Sequence, residues 1–249
     1  MLASNIHCMK GTLWCLHGAV GHAGDWRELS VPGWAVKRVD LWRFLDCCPM
    51  SLGEFGRALN EEARRTEGPN VLIGYSMGGR LALHALLESG QPWDAAIIVS
   101  AHPGIEDIDE RAGRRAADAE WGAKAIQSDW VDFLAQWNAQ PVLGEVLSGM
   151  ADRLLLRSRC REIGRSFVDW SLGAQEPLWE KLTSLTKPVL WICGERDEKF
   201  RVLGERAVAL IPGARLVVIP SGHRVPWEAP EAFGEAVHSW LSESFGTNP

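Results

Sequence analysis

The pentapeptide Gly74-Tyr75-Ser76-Met77-Gly78 constrains this chain more than any other feature. It sits between Asn70–Tyr75 (NVLIGY), an apolar branched run that reads as a buried strand, and Met77–Glu88, whose pattern reads as a helix beginning without a break. Passing from strand to helix in so few residues demands a turn too tight for side chains on its flanks. That accounts for glycine at 74, 78 and 79. Such a turn lifts the Ser76 hydroxyl above the sheet edge, at the start of a helix. A lone serine hydroxyl is a weak nucleophile and a weak base, so the turn predicts a histidine and a carboxylate further along the chain.

The surroundings fit a strand–helix alternation. Thr12–Leu16, Val36–Leu41, Asp94–Ser100, Pro188–Gly194 and Ala214–Pro220 are further short apolar runs, and helical patterns cover about 51–65, 200–210 and 230–244. Strands without polar alternation, separated by helices, imply an α/β fold with a mostly parallel central sheet covered on both faces. Residues 103–187 carry only helical pattern, so the core is expected in two parts, 1–102 and 188–249, with a helical cap inserted between them. No internal repeat or low-complexity tract is present, and Gly246-Thr247-Asn248-Pro249 reads as a frayed end.

Composition narrows the partners. The chain has 249 residues, 46% of them hydrophobic and 23% charged, enough to bury a core without disulfides or metals. A net charge of −6 argues against nucleic acid as partner, and no apolar run reaches the roughly 20 residues of a membrane span. The N-terminal stretch Met1–Lys10 lacks the charged start and apolar run of a signal peptide, and the six cysteines (8, 15, 47, 48, 160, 193) form no C-x-x-C pair. A cytoplasmic location is therefore expected, with a small molecule as the substrate. No metal constellation and no strand–G-x-G-x-x-G–helix element occurs, so neither a metal nor a dinucleotide cofactor is expected. Trp is heavily used, with 13 residues against one Tyr and seven Phe. Most of these should fill core and cap.

The chain order Ser…Asp/Glu…His locates the partners of Ser76. His223 follows the last strand, where the base belongs, and Asp197 lies in the loop after the preceding strand. Asp197 is preferred to Glu195, which is expected to pair with a nearby arginine. His17-Gly18-Ala19 follows the first strand, so the backbone N–H groups of Ala19 and Met77 are the expected oxyanion donors.

On these motifs the sequence resembles the α/β-hydrolase superfamily over essentially its whole length. Within it the chain is most similar to the SHCHC synthase family of menaquinone biosynthesis. The likeness rests on Leu16-His17-Gly18-Ala19-Val20-Gly21 with Asp25-Trp26, and on the turn Gly74-Tyr75-Ser76-Met77-Gly78-Gly79-Arg80. It extends to Trp137-Asn138-Ala139-Gln140-Pro141-Val142, Gly194-Glu195-Arg196-Asp197-Glu198-Lys199-Phe200 and Gly222-His223. The resemblance implies elimination of pyruvate from a succinyl-cyclohexene carboxylate, with Ser76, Asp197 and His223 as catalytic residues and the serine as base. It also implies that substrate carboxylates meet Arg80, Arg114 and Arg157, with Tyr75 and Trp137 lining the pocket. The family's D-L-P-G-H-G is replaced by Asp40-Leu41-Trp42-Arg43-Phe44-Leu45, a loop expected to shape the pocket wall.

The residues themselves favour an anionic substrate. Arg80 stands one helical turn beyond Ser76. Arg153, Arg157 and Arg161 recur every four residues, continued by Arg165, which would align guanidinium groups on one helical face; Arg111, Arg114 and Arg115 form another cluster. Three functions remain open: the pyruvate-eliminating synthase, a carboxylic ester or thioester hydrolase working through an acyl-enzyme, and a binding protein that retains the fold with little turnover.

Overall fold

The computed structural model describes residues 10–144 and 150–246, so the readings of the N-terminal stretch and the C-terminal end fall on residues outside those described. In chain order the elements are β1 (Gly11–Leu16), β2 (Trp34–Val39), α1 (Leu52–Ala63), β3 (Asn70–Tyr75), α2 (Met77–Leu87), β4 (Ala95–Val99), α3 (Ile108–Gln127), α4 (Trp130–Asn138), α5 (Met150–Leu155), α6 (Cys160–Asp169), α7 (Trp179–Leu182), β5 (Val189–Gly194), α8 (Glu198–Leu210), β6 (Arg215–Ile219), α9 (Val225–Glu228) and α10 (Pro230–Phe245). Short 3-10 turns punctuate the loops.

The six strands form one sheet in the order β2-β1-β3-β4-β5-β6, every pairing parallel. β1, β3, β4 and β5 are buried throughout, while the two edges β2 and β6 present Lys37, Arg38 and Arg215 to the outside. Alternation divides the core in two: Trp14, Leu16, Leu72, Ile98 and Trp191 pack on one face, and Leu13, Cys15, Val71, Ile97 and Ile192 on the other. Trp14, Trp26, Trp42, Trp93, Trp170 and Trp191 are fully buried, so much of the tryptophan content is core. Strand order reverses between β1 and β3. In a parallel sheet that reversal opens a crevice at the carboxyl ends of the strands, where the loops after β1 and β3 diverge.

Local signals fix the helices. Ser51 caps α1 reciprocally with Glu54, its hydroxyl accepting from the Glu54 N–H at 3.3 Å while the Glu54 carboxylate accepts from the Ser51 N–H at 2.8 Å. Leu52, Phe55, Leu59 and Ala63 then bury one stripe of α1 on the core. Between β4 and β5 the described residues form only helices and turns, and they lie over the strand ends.

Two expectations are corrected here. β2 starts at Trp34 and ends at Val39 instead of spanning Val36–Leu41, because the Leu41 N–H leaves the ladder and donates to His17 Nε2 at 3.3 Å. The arginine row is also broken. Leu156–Arg159 is a 3-10 turn between α5 and α6, and its tighter winding scatters the guanidinium groups. Arg153 binds Asp25 bidentately at 2.5 and 2.9 Å, Arg159 pairs with Asp46, Arg165 donates to the Leu45 carbonyl, and Arg157 and Arg161 are exposed.

Candidate active site

The turn after β3 is as tight as its glycines imply. A Cβ on Gly74 would lie 2.5 Å from the Gly78 carbonyl oxygen, and one on Gly78 would lie 2.5 Å from the carbonyl oxygens of Leu16 and His17. The turn forces Ser76 to φ 52°, ψ −110°, left-handed backbone that a serine adopts only under constraint from both flanks. The Ser76 N–H is tied to the Val99 carbonyl at 2.8 Å. Its hydroxyl thus projects at the crevice, just before α2.

Two loops deliver its partners. His223 Nε2 lies 3.1 Å from Ser76 Oγ, and His223 Nδ1 lies 2.6 Å from Asp197 Oδ2. His223 and Asp197 are buried while Ser76 is partly open. A carboxylate on Nδ1 fixes the tautomer whose Nε2 can receive the serine proton and stabilises the imidazolium that results. The Phe200 and Tyr75 rings flank the imidazole, with centroids 4.4 and 5.5 Å away. Glu195 is exposed and makes no ion pair among the described residues, contrary to expectation; the neighbouring Arg196 is the paired one, with Glu228 at 2.9 Å. Sequence reasoning missed Glu228. Its carboxylate accepts from the Gly222 N–H at 2.5 Å and the Arg224 N–H at 3.2 Å, bracing the loop on both sides of His223. Its place five residues beyond His223 was the only available signal.

Ala19 and Met77 both line the cavity above Ser76. Met77 opens α2, so its N–H has no partner within the helix. The loop bearing Ala19 is anchored by His17, wholly buried, whose Nδ1 donates to the Gly18 carbonyl at 2.9 Å while Nε2 accepts from Leu41. Burial pulls the His17 pKa down to about 4, keeping it neutral as this pattern of one donor and one acceptor requires. Contrary to the expectation from sequence, Leu41–Leu45 does not line the cavity; it supports the loop behind it. The Trp42 ring packs at a tilt against His17, centroids 4.9 Å apart, and its indole N–H donates to the Gly21 carbonyl at 2.8 Å.

The cavity, about 380 Å³, lies between the strand ends and the helical segment. Ser76, His223 and Ala19 face Trp121, Trp137, Phe167 and Trp170 across it. Arg80 and Arg114 also line it; Arg157 does not. Tyr75 borders a smaller adjoining pocket with Asp25, Arg153 and Arg224, and Trp137 borders both.

Arg80 is the most unusual group. It is only 8% exposed and donates to Gln175 Oε1 at 3.1 Å and to the Trp170 carbonyl at 2.8 Å, both neutral acceptors. Among the described residues no carboxylate reaches it within ion-pair distance. Burial, with Arg114 adding repulsion, pulls its pKa down to about 10, so it remains a cation at neutral pH. Arg114 is held by Asp118, its Nε donating at 2.8 Å. The Gln175 contact had no sequence signal, because it spans 95 residues.

Residues 15–236 match the model of the alpha/beta hydrolase family. The chain belongs to the α/β-hydrolase family. Among its relatives in that family, a Bacillus subtilis protein provisionally named 2-succinyl-6-hydroxy-2,4-cyclohexadiene-1-carboxylate synthase is 33% identical over 92% of this chain and 89% of its own. The enzyme of that name from Serratia proteamaculans is 29% identical over 91% of each chain. The α/β-hydrolase architecture is shared with the solved structure of MenH from S. aureus, at TM-score 0.80 and 21% identity over 95% of each chain.

Proposed function

We propose that the protein is a 2-succinyl-6-hydroxy-2,4-cyclohexadiene-1-carboxylate synthase of menaquinone biosynthesis, eliminating pyruvate from an anionic succinyl-cyclohexene carboxylate. One observation carries this reading above the family relationship: Arg80, a buried cation with no carboxylate partner among the described residues, lines the same cavity as Ser76. An unpaired buried cation is costly, and a substrate carboxylate offsets that cost. In this mechanism Ser76, His223 and Asp197 form the catalytic triad. Ser76 Oγ takes a carbon-bound proton while its own proton passes to His223 Nε2, and Asp197 holds the imidazolium. Charge moves onto the succinyl carbonyl oxygen, where the Ala19 and Met77 N–H groups form the oxyanion hole. The carbon–oxygen bond to the leaving group then breaks, and pyruvate departs as its enolate, which takes up a proton. Arg80 and Arg114 hold substrate carboxylates, Trp137 walls the cavity, Tyr75 shapes the adjoining pocket, and residues 103–187 act as the cap that excludes water.

A second reading draws on the same geometry. A serine 3.1 Å from its base beside two N–H donors can equally be acylated by a carboxylic ester or thioester. The deciding experiment is a direct assay on the synthase substrate beside a short-chain p-nitrophenyl ester. Pyruvate release dependent on Ser76, with weak ester hydrolysis, is expected; ester hydrolysis alone would replace the synthase with a hydrolase.

A further inference from the structure

The loops that carry Asp197 and His223 meet over the ends of β5 and β6. The Glu195 N–H donates to the Ile219 carbonyl at 2.8 Å and the Arg196 N–H to the Ser221 carbonyl at 2.9 Å, so the backbone joins the two loops just short of Asp197 and His223. One side chain continues the join. Glu228 Oε2 accepts from the Gly222 N–H at 2.5 Å and from Arg196 Nη2 at 2.9 Å, while Oε1 accepts from the Arg224 N–H at 3.2 Å. His223 therefore lies between two N–H groups held by one carboxylate, and that carboxylate is also paired with the neighbour of Asp197. A Cβ on Gly222 would lie 3.0 Å from both Glu228 oxygens, so the carboxylate is seated directly on the loop. The Glu228 side chain is 8% exposed and does not line the cavity. Its backbone is fixed by its neighbours: Val225 is wholly buried, and Trp227 donates to the Asp25 carbonyl at 3.1 Å and packs on Tyr75, centroids 4.7 Å apart.

We infer that Glu228 is a positioning residue for the triad, whose carboxylate clamps the backbone on both sides of His223 and ties it to the acid loop, holding the imidazole in register with Ser76 and Asp197 at once. The inference rests on the proposed roles of those three residues, and it holds for either reaction, because both pass a proton through His223. Both oxygens are needed, since each serves one flank of the histidine. Proton transfer between Ser76 Oγ and His223 Nε2 depends on the placement of the ring, and a misplacement of about 1 Å lowers a rate on the order of 10²-fold.

The test is Glu228→Gln, which keeps the size of the side chain but offers one acceptor oxygen and turns an N–H toward the other donor. On whichever of the two substrates the wild type turns over, kcat should fall by about 10- to 100-fold with KM within about twofold. In an Asp197→Asn background the same replacement should lower kcat less than about twofold, because the register it protects is already lost. The His223 Nδ1 proton, far downfield in proton NMR when bonded to Asp197 at 2.6 Å, should move upfield in Glu228→Gln. Arg196→Gln, which leaves both backbone N–H groups on the carboxylate, should lower kcat less than about threefold. Full kcat in Glu228→Gln, an unmoved Nδ1 resonance, or a loss that multiplies with that of Asp197→Asn overturns the positioning role. The proposed roles fail separately: full turnover in Ser76→Ala defeats the triad, whereas the Nδ1 resonance needs no substrate and reads the effect of Glu228 by itself.

Discussion

Replacing Arg80 by methionine separates binding from folding in one variant. The fall of the Arg80 pKa to about 10, below that of a solvated guanidinium, means that the folded state holds this proton less tightly than the unfolded chain, so the charge opposes folding at pH 7 by roughly 3 kcal/mol. Methionine relieves that cost. It also strands Gln175 Oε1 and the Trp170 carbonyl, two buried acceptors worth about 1–3 kcal/mol each. The two effects oppose each other, and net stability should change by no more than about 3 kcal/mol. Catalysis has no such offset. Leaving a substrate carboxylate without its partner costs about 2–5 kcal/mol, a fall in kcat/KM on the synthase substrate of about 30-fold to several thousand-fold. Hydrolysis of p-nitrophenyl butyrate, which has no carboxylate to hold, should change less than about threefold. The measurements are kcat/KM for both substrates and urea unfolding of both proteins. Equal losses on the two substrates, or unfolding weakened by more than about 4 kcal/mol, would make Arg80 a structural residue and refute the reasoning.

Asp197→Asn should lower turnover by about 10⁴-fold with little change in unfolding, while Glu195→Gln, at an exposed position, should be nearly silent; the reverse pattern in kcat would move the acid to Glu195. Arg157→Ala should leave KM and kcat within about twofold, since the side chain is exposed and lies away from the cavity, and a large rise in KM would restore it to the site. Burial lowers the pKa values of His17 and His84 to about 4 and of His102 to about 3, each below the unfolded value of 6.5. The unfolded chain therefore takes up protons first on acidification. Stability should be complete above pH 6.5 and fall as pH drops toward 4, by up to about 1.4 kcal/mol per pH unit for each histidine, as followed by urea unfolding between pH 7.5 and 4.5.

What sequence alone determined was whatever is local and steric. The strand–turn–helix around Ser76 was legible because only glycine fits where a Cβ would strike a backbone carbonyl 2.5 Å away. The parallel sheet was legible in its unbroken apolar runs, and His223 and Asp197 followed from their places after particular strands. The spacing of Arg153, Arg157 and Arg161 misled, because a regular period says nothing of a 3-10 turn that interrupts the α-helix at Leu156. The tertiary structure decided which charges are free. Arg153 and Arg80 look alike along the chain. Folding sets Arg153 against Asp25, 128 residues away, and among the described residues gives Arg80 a glutamine and a backbone carbonyl instead of an acid. Whether a buried charge is neutralised depends on which distant side chain shares its low-dielectric surroundings, and that is a property of packing, not of local spacing.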